Sequence, residues 1–382
     1  MPALPRPDVD PDGLLEFSVV FTDRSLNHMS QAFQHVMREL HATLCEVYGA
    51  SRAVIVPGGG TYAMEAVARQ FATGRKVLVI RNGFFSYRWT QIFEAGSIPS
   101  EEIVLKARRV GNSPTSPFEP PPIAEAVARI RADRPAVVFA PHVETASGMI
   151  LPDDYVKALA DAAHEVGGLF VLDCVASGTI WVDMEATGVD VLISAPQKGW
   201  SAPPSSGLVM MREAALEQCR ATKSTSFAAD LGKWLTIMEA YLAGGHAYHA
   251  TMPTDALRVL RDAMAETRAD GFERLKAAQW EQGRAVRKLL AERGVQSVAA
   301  PGFEAPGVVV CFTDDPEIQN GKRFAAQGLQ TAAGVPLMVD EGPDYRSFRL
   351  GLFGLDKLDD VPASLARLEA AFDAVFPKAG QA

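Results

Sequence analysis

Short apolar runs alternate with longer amphipathic stretches along most of the chain. The runs RAVIV (52–56), KVLVI (76–80), AVVFA (136–140), LFVL (169–172), VDVLIS (189–194) and GLVMM (207–211) are nearly continuous rather than alternating. Runs of this kind read as strands covered on both faces, the mark of a mostly parallel sheet between helices. Ahead of the first run, Phe33, Met37, Leu40, Leu44 and Val47 recur at helical spacing. Helical patterns also fill 212–295. A shorter mixed segment follows, with GVVVCF (307–312), a helix near 319–328, RSFRLGLFG (346–354) and an amphipathic helix over 359–375. The pattern predicts an α/β fold. A loose N-terminal arm (1–25) leads into a large domain (26–268) with a mostly parallel seven-stranded sheet. A smaller α+β domain (269–382) closes the chain.

Composition narrows the function classes. The chain has 382 residues, 48% of them hydrophobic, which is enough for a substantial core and two domains. A net charge of -9 argues against nucleic acid, which favours clustered basic surfaces. No apolar stretch approaches the roughly 20 residues needed to span a bilayer. The start, MPALPRPDVDPDG, has neither a basic region nor an apolar core of a signal peptide. Cys45, Cys174, Cys219 and Cys311 are scattered without CxxC spacing, so a cytoplasmic protein without a disulfide framework is expected. His41 and Cys45 stand four apart on the first helix, an incomplete set for zinc, so a packed or solvated role is expected.

The unusual residues cluster just after the predicted strands. Ligands of open α/β sheets bind at that edge. In PGGGTYAMEAV (57–67), glycines end a strand and open a helix. Glycine admits close approach, and a helix N-terminus offers free N–H groups and positive potential. The stretch is either a phosphate cradle or a tight strand-to-helix turn. Asp173 ends the run LFVL, either as a helix cap or as the holder of a cationic nitrogen. Lys198 lies in SAPQKGW (194–200), between two apolar runs. It is either an ordinary turn lysine or an amine made nucleophilic by burial. Arg346 and Arg349 flank an apolar strand, where arginine either grips a carboxylate or forms a surface ion pair. Taken together, cradle, aspartate and lysine match the needs of pyridoxal 5'-phosphate: an anion site, a partner for the pyridine nitrogen and an amine for a Schiff base.

Residues 50–255 resemble the class V aminotransferases of the fold-type I pyridoxal-phosphate superfamily, most nearly the alanine–glyoxylate and serine–glyoxylate enzymes. The segments that carry the likeness are SAPQKGWSAPPSSG (194–207), VLDCVASG (171–178), HVETASG (142–148), NGFFSYR (82–88), YHATMP (248–253) and RSFRLGLFG (346–354). The resemblance implies a Schiff base on Lys198 and the pyridine nitrogen on Asp173, with Thr145 near the phenolic oxygen and Phe85 stacked on the ring. It also implies Gly59, Gly60, Thr61 and Gln197 at the phosphate and Val175 against the cofactor. Tyr248 and Thr251 would reach the neighbouring active site of a homodimer. Arg349 would take the substrate carboxylate. The implied reaction moves an amino group from an alanine- or serine-type donor to a 2-oxo acid such as glyoxylate or pyruvate. One departure stands out. VVFTDRSLNHMS (19–30) replaces the family's Gly- and Pro-rich segment, leaving Arg24, Asn27 and His28 either facing substrate or in capping and ion-pair roles. That departure keeps an ω-amino donor such as 2-aminoethylphosphonate open. A lyase such as a cysteine desulfurase is a second alternative, although Cys311, inside an apolar run, is a poor mobile nucleophile; a non-enzymatic ligand sensor on the same fold is a third, against which the full set of candidate catalytic residues stands.

Overall fold

The computed structural model describes residues 6–376. Residues 1–5 of the expected arm and 377–382 of the expected C-terminal domain lie outside the described residues. A seven-stranded sheet organises the larger part of the chain. Its strands are β1 (Arg52–Pro57), β2 (Lys76–Arg81), β3 (Glu101–Lys106), β4 (Val137–Pro141), β5 (Leu169–Asp173), β6 (Val191–Ser194) and β7 (Ser206–Met211). In space they run β1-β7-β6-β5-β4-β2-β3. β7 is antiparallel to both its neighbours, and the remaining pairs are parallel. The central strands β4 to β7 are buried along their whole lengths, as their continuous apolar runs require. Edge strand β3 went unread in the sequence. It reads EEIVLK, and only Ile103 and Leu105 are buried, so charges cover an edge that would otherwise invite pairing.

Helices cover the sheet and bring their first turns to its functional edge. The helix α1 (Gln31–Tyr48) starts at Ser30, whose hydroxyl accepts the Phe33 N–H, and ends at Gly49 in the left-handed region. It buries Phe33, Met37, Leu40 and Leu44 against the core, with Val47 packed at the margin. The helix α2 (Gly60–Phe71) follows β1, and α3 (Phe84–Gly96) follows β2. The segments after β1, β2, β4, β5 and β6 therefore converge on one edge of the sheet.

A second, three-stranded antiparallel sheet contains β8 (Val308–Phe312), β9 (Ala332–Ala333) and β10 (Ser347–Gly351), with β10 in the middle. Helices Phe272–Ala291 and Val361–Val375 pack on it through Val286, Leu290, Phe348, Leu350 and Phe372. The turn between the long helices Thr254–Asp270 and Phe272–Ala291 falls at Gly271, with φ +89°. The helix expected near 319–328 is instead two single turns, Pro316–Gln319 and Lys322–Ala325. Asn320 and Gly321 break it, because Gly321 takes a left-handed φ of +82° that a helix cannot accommodate. A separate apolar cluster ties the two sheets together, joining Val143, Ala146 and Ala176 from the functional edge to Val308, Val310 and Leu337. It fixes β8, and β10 through its pairing with β8, relative to that edge. No helix among the described residues is long and apolar enough to cross a membrane. The cysteines are free, and His41 Nε2 lies 3.6 Å from Cys45 Sγ in a packed pair.

Candidate active site

Lys198 owes its position to the residues after it. Trp200 is fully buried and packs on Trp181, 4.5 Å between ring centroids, and on Tyr48 at 6.3 Å. The turn presses so closely on the segment after β5 that a Cβ on Gly199 would lie 2.1 Å from the Gly178 carbonyl oxygen. Ser201 takes a positive φ of 54°, and its hydroxyl accepts the Leu355 N–H at 3.0 Å. A lysine thus sits in a turn held by an aromatic anchor, a close backbone approach and a hydrogen bond from the start of the short helix Leu355–Asp359.

The amine end of Lys198 is enclosed. Burial lowers its pKa below the ordinary lysine value, while Asp173 and Glu144 oppose that shift. Its Nζ donates to Thr145 Oγ1 at 3.4 Å, a long contact. Asp173, the last residue of β5, is buried, and its Oδ1 accepts the Val175 N–H at 2.9 Å. Burial pushes its carboxyl up to about 6, against the pull of the Val175 N–H and of Lys198. A carboxyl so raised is one whose charge the surrounding protein does not fully compensate.

Phe85 stands in the first turn of α3, and its ring is ringed by cations. Arg88 Cζ lies 5.0 Å from the ring centroid, Arg349 Cζ 5.5 Å and Lys198 Nζ 6.0 Å. The backbone under Phe85 is held by Glu144, whose carboxylate accepts the N–H groups of Phe85 (3.1 Å), Ser86 (2.8 Å) and Ala146 (3.0 Å) and the Ser86 hydroxyl (2.6 Å). Fully buried, Glu144 caps α3 from a strand-end loop and matches the positive end of that helix.

These groups line one cavity of about 240 Å³, shared by Gly60, Thr61, Phe85, Thr145, Asp173, Val175, Gln197 and Lys198. Eight sequence-predicted residues therefore meet. Gly59 is not on the lining, although it precedes the two residues that are. Arg349 reaches the site by its stack on Phe85, and its Nε donates to the Ala333 carbonyl at 2.8 Å. Tyr248 and Thr251 lie elsewhere, exposed, with their hydroxyls 3.1 Å apart. Arg24, Asn27 and His28 do not line the cavity. Asn27 donates to Glu16 at 2.7 Å, Arg24 is exposed, and His28 packs on Phe21, His246 and Tyr248.

Sequence reasoning did not single out Glu144 and Arg88. Both lie inside segments that drew notice, HVETASG and NGFFSYR, but their partners are distant in sequence.

The residues present fit pyridoxal 5'-phosphate. At one end the N–H groups of Gly60 and Thr61 find no acceptor among the described residues, which leaves donors for an anion. A Cβ at Gly60 would lie 2.8 Å from Val175 Cγ2, so glycine keeps the cradle open. At the other end the undercompensated Asp173 calls for a cationic N–H. Between them stand an aromatic face and an amine of lowered pKa.

The chain is similar to known proteins over most of its length. The family described as "Aminotransferase class-V" matches residues 16–320. A 2-aminoethylphosphonate–pyruvate transaminase of Paraburkholderia phymatum is 27% identical over 353 residues, 90% of this chain and 89% of that protein. An alanine–glyoxylate aminotransferase of Rattus norvegicus is 26% identical over 302 residues, 78% of this chain and 66% of that one. The crystal structure of an aspartate aminotransferase of subgroup IV from Thermus thermophilus superposes with a TM-score of 0.74 at 25% identity, covering 92% of each chain. With the fold, the cavity and these likenesses in agreement, the chain belongs to the class-V aminotransferase family and is a pyridoxal-phosphate-dependent aminotransferase.

Proposed function

We propose that the enzyme moves an amino group from a small amino acid of the alanine or serine type to a 2-oxo acid such as glyoxylate or pyruvate. The observation that carries this reading is the placement of Arg349 and Lys198 about one ring, at 5.5 and 6.0 Å from the Phe85 centroid. An anion grip and a proton-moving amine then share one aromatic neighbour, and the Arg349 charge is felt at Lys198. Arg349 holds the substrate carboxylate with paired N–H groups. Lys198 carries the cofactor at rest, then takes the proton from the substrate α-carbon and returns it nearby as general base and acid. Its lowered pKa keeps a larger share of the amine neutral than on a surface lysine. Pyridoxal phosphate, when bound, supplies an electron sink for the charge left on that carbon.

The cofactor's phosphate belongs at the start of α2, on Gly60, Thr61 and Gln197, with Gly59 behind them. Asp173 holds the pyridine nitrogen in its protonated form, Phe85 covers one ring face, and Thr145 and Val175 flank it. Tyr248 and Thr251, an exposed hydroxyl pair remote from their own cavity, serve the neighbouring site of a homodimer. A second reading, 2-aminoethylphosphonate as donor, has support in the Paraburkholderia relative's name and in the departure at 19–30. A desulfurase is disfavoured, because Cys311 is buried in β8 and paired in register with Phe348.

The test is a donor panel of alanine, serine and 2-aminoethylphosphonate against glyoxylate and pyruvate. The proposal expects the highest kcat/KM with alanine or serine, and a large rise in KM for that donor in Arg349→Gln. A higher kcat/KM with the phosphonate would replace the first reading by the second.

A further inference from the structure

We infer that Arg88 is a phosphate-binding residue of the cofactor site and that it also locks the Thr61 hydroxyl as a donor toward the phosphate. The inference rests on the placement of the cofactor phosphate at the start of α2 proposed above. It concerns a residue that nothing in the sequence pattern marked as a ligand.

Arg88 lies one turn beyond Phe85 on α3 and lines the same cavity as Gly60 and Thr61. Its Nη1 donates to Thr61 Oγ1 at 3.0 Å. A threonine hydroxyl has one hydrogen and two lone pairs. With a lone pair occupied by Arg88, the hydroxyl hydrogen is left to point at whatever sits beside the free N–H groups of Gly60 and Thr61. Arg88 is half-buried as a residue, and among the described residues its guanidinium has no carboxylate within ion-pair distance. An arginine placed for surface solubility is commonly matched to an acid; here the five-donor fork has one neutral acceptor and open capacity. Its charge also reaches the catalytic groups, drawing down the proton affinity of both Asp173 and Lys198.

Arg88 bridges the two ends of the site. One side meets Thr61 at the anion cradle, and the other lies over the Phe85 ring at 5.0 Å. The amides and hydroxyl of the cradle are neutral donors, whereas the ligand's phosphate carries up to two negative charges. Arg88 supplies formal positive charge at that end from within the same chain.

The test measures equilibrium binding to the full-length apoprotein, read by fluorescence quenching, for pyridoxal phosphate and for pyridoxal, which lacks the phosphate. Arg88→Gln is expected to lose roughly 10- to 100-fold in affinity for pyridoxal phosphate, the range for a charged hydrogen bond, and little for pyridoxal. Arg88→Lys recovers part of the loss, since it keeps the charge and loses the fork. Thr61→Val should lose less affinity in the Arg88→Gln background than in the wild type, because the lock is already gone. Equal losses for both ligands would overturn the assignment in favour of an effect through Phe85. Full retention of the wild-type preference for the phosphorylated ligand in Arg88→Gln would overturn it outright. Additive losses of Thr61→Val and Arg88→Gln would overturn the lock. A wild type that does not prefer pyridoxal phosphate over pyridoxal would instead overturn the phosphate placement, and Arg88's role with it. Circular dichroism and melting of each variant separate these outcomes from misfolding.

Discussion

Glu144 reaches across 58 positions of sequence to accept both the backbone N–H of Ser86, at 2.8 Å, and its hydroxyl, at 2.6 Å. That single carboxylate joins the loop after β4 to the first turn of α3, and so sets where Phe85 stands. Glu144→Ala would leave the buried N–H groups of Phe85, Ser86 and Ala146 without their acceptor. We expect a stability loss of roughly 2–4 kcal/mol, combining a lost cap with unsatisfied buried donors. Chemical denaturation of the apoprotein reads it. A variant as stable as wild type would refute the capping role.

Gly199 is the position at which a small change does most to the Lys198 turn. A methyl group there meets the Gly178 carbonyl oxygen at 2.1 Å, and neither backbone can yield without shifting a strand-end loop. Gly199→Ala should destabilise the fold by about 1–3 kcal/mol and lower the rate at which cofactor attaches to Lys198. Denaturation and the growth of cofactor absorbance after mixing report the two effects. Unchanged values for both would mean that the turn is looser than its geometry implies.

Asp173 gives the apoprotein a definite pH signature. Its carboxyl is raised from 3.8 to about 6 by burial, so the folded state binds the proton more tightly than the unfolded chain does. The protonated form is favoured in the fold; that stability is complete below the unfolded pKa and is lost as pH rises through about 6. The stability of wild type relative to Asp173→Asn should therefore fall by up to about 3 kcal/mol between pH 4 and pH 7. Denaturation midpoints of the two apoproteins across that range test it; a pH-independent difference would contradict the raised pKa. Cofactor should reverse the trend by supplying a cation to the carboxylate.

The parts of this molecule legible from sequence are those whose signal is local. Asp173 and Lys198 were visible because each follows a run of apolar residues, where a charged group is out of place unless it has work to do. The buried strands β4 to β7 were visible for the same reason. Strand β3 was not, because an edge strand buries only two of its side chains and dresses the rest with charge. Glu144 and Arg88 were passed over because their roles depend on Ser86 and Thr61, partners that only the fold brings near. The helix near 319–328 was overread because its apolar spacing survives on either side of the Asn320–Gly321 break.

Lys198→Ala separates attachment from binding. The variant should lose transamination by several orders of magnitude, since it removes both the anchor and the proton carrier. It should still bind cofactor through the anion cradle and Asp173, seen as quenching without the absorbance of lysine-bound cofactor. Activity near wild type would remove Lys198 from the mechanism.

The most direct test of the account is a half-reaction. Purified enzyme loaded with pyridoxal phosphate is mixed with one amino donor, no 2-oxo acid present, and its absorbance is followed. The account predicts that the band of lysine-bound cofactor gives way to that of the aminated cofactor, with one equivalent of oxo product per site, and that glyoxylate or pyruvate restores the first band. A band that persists through every donor, or that decays with release of an elimination product, would contradict it.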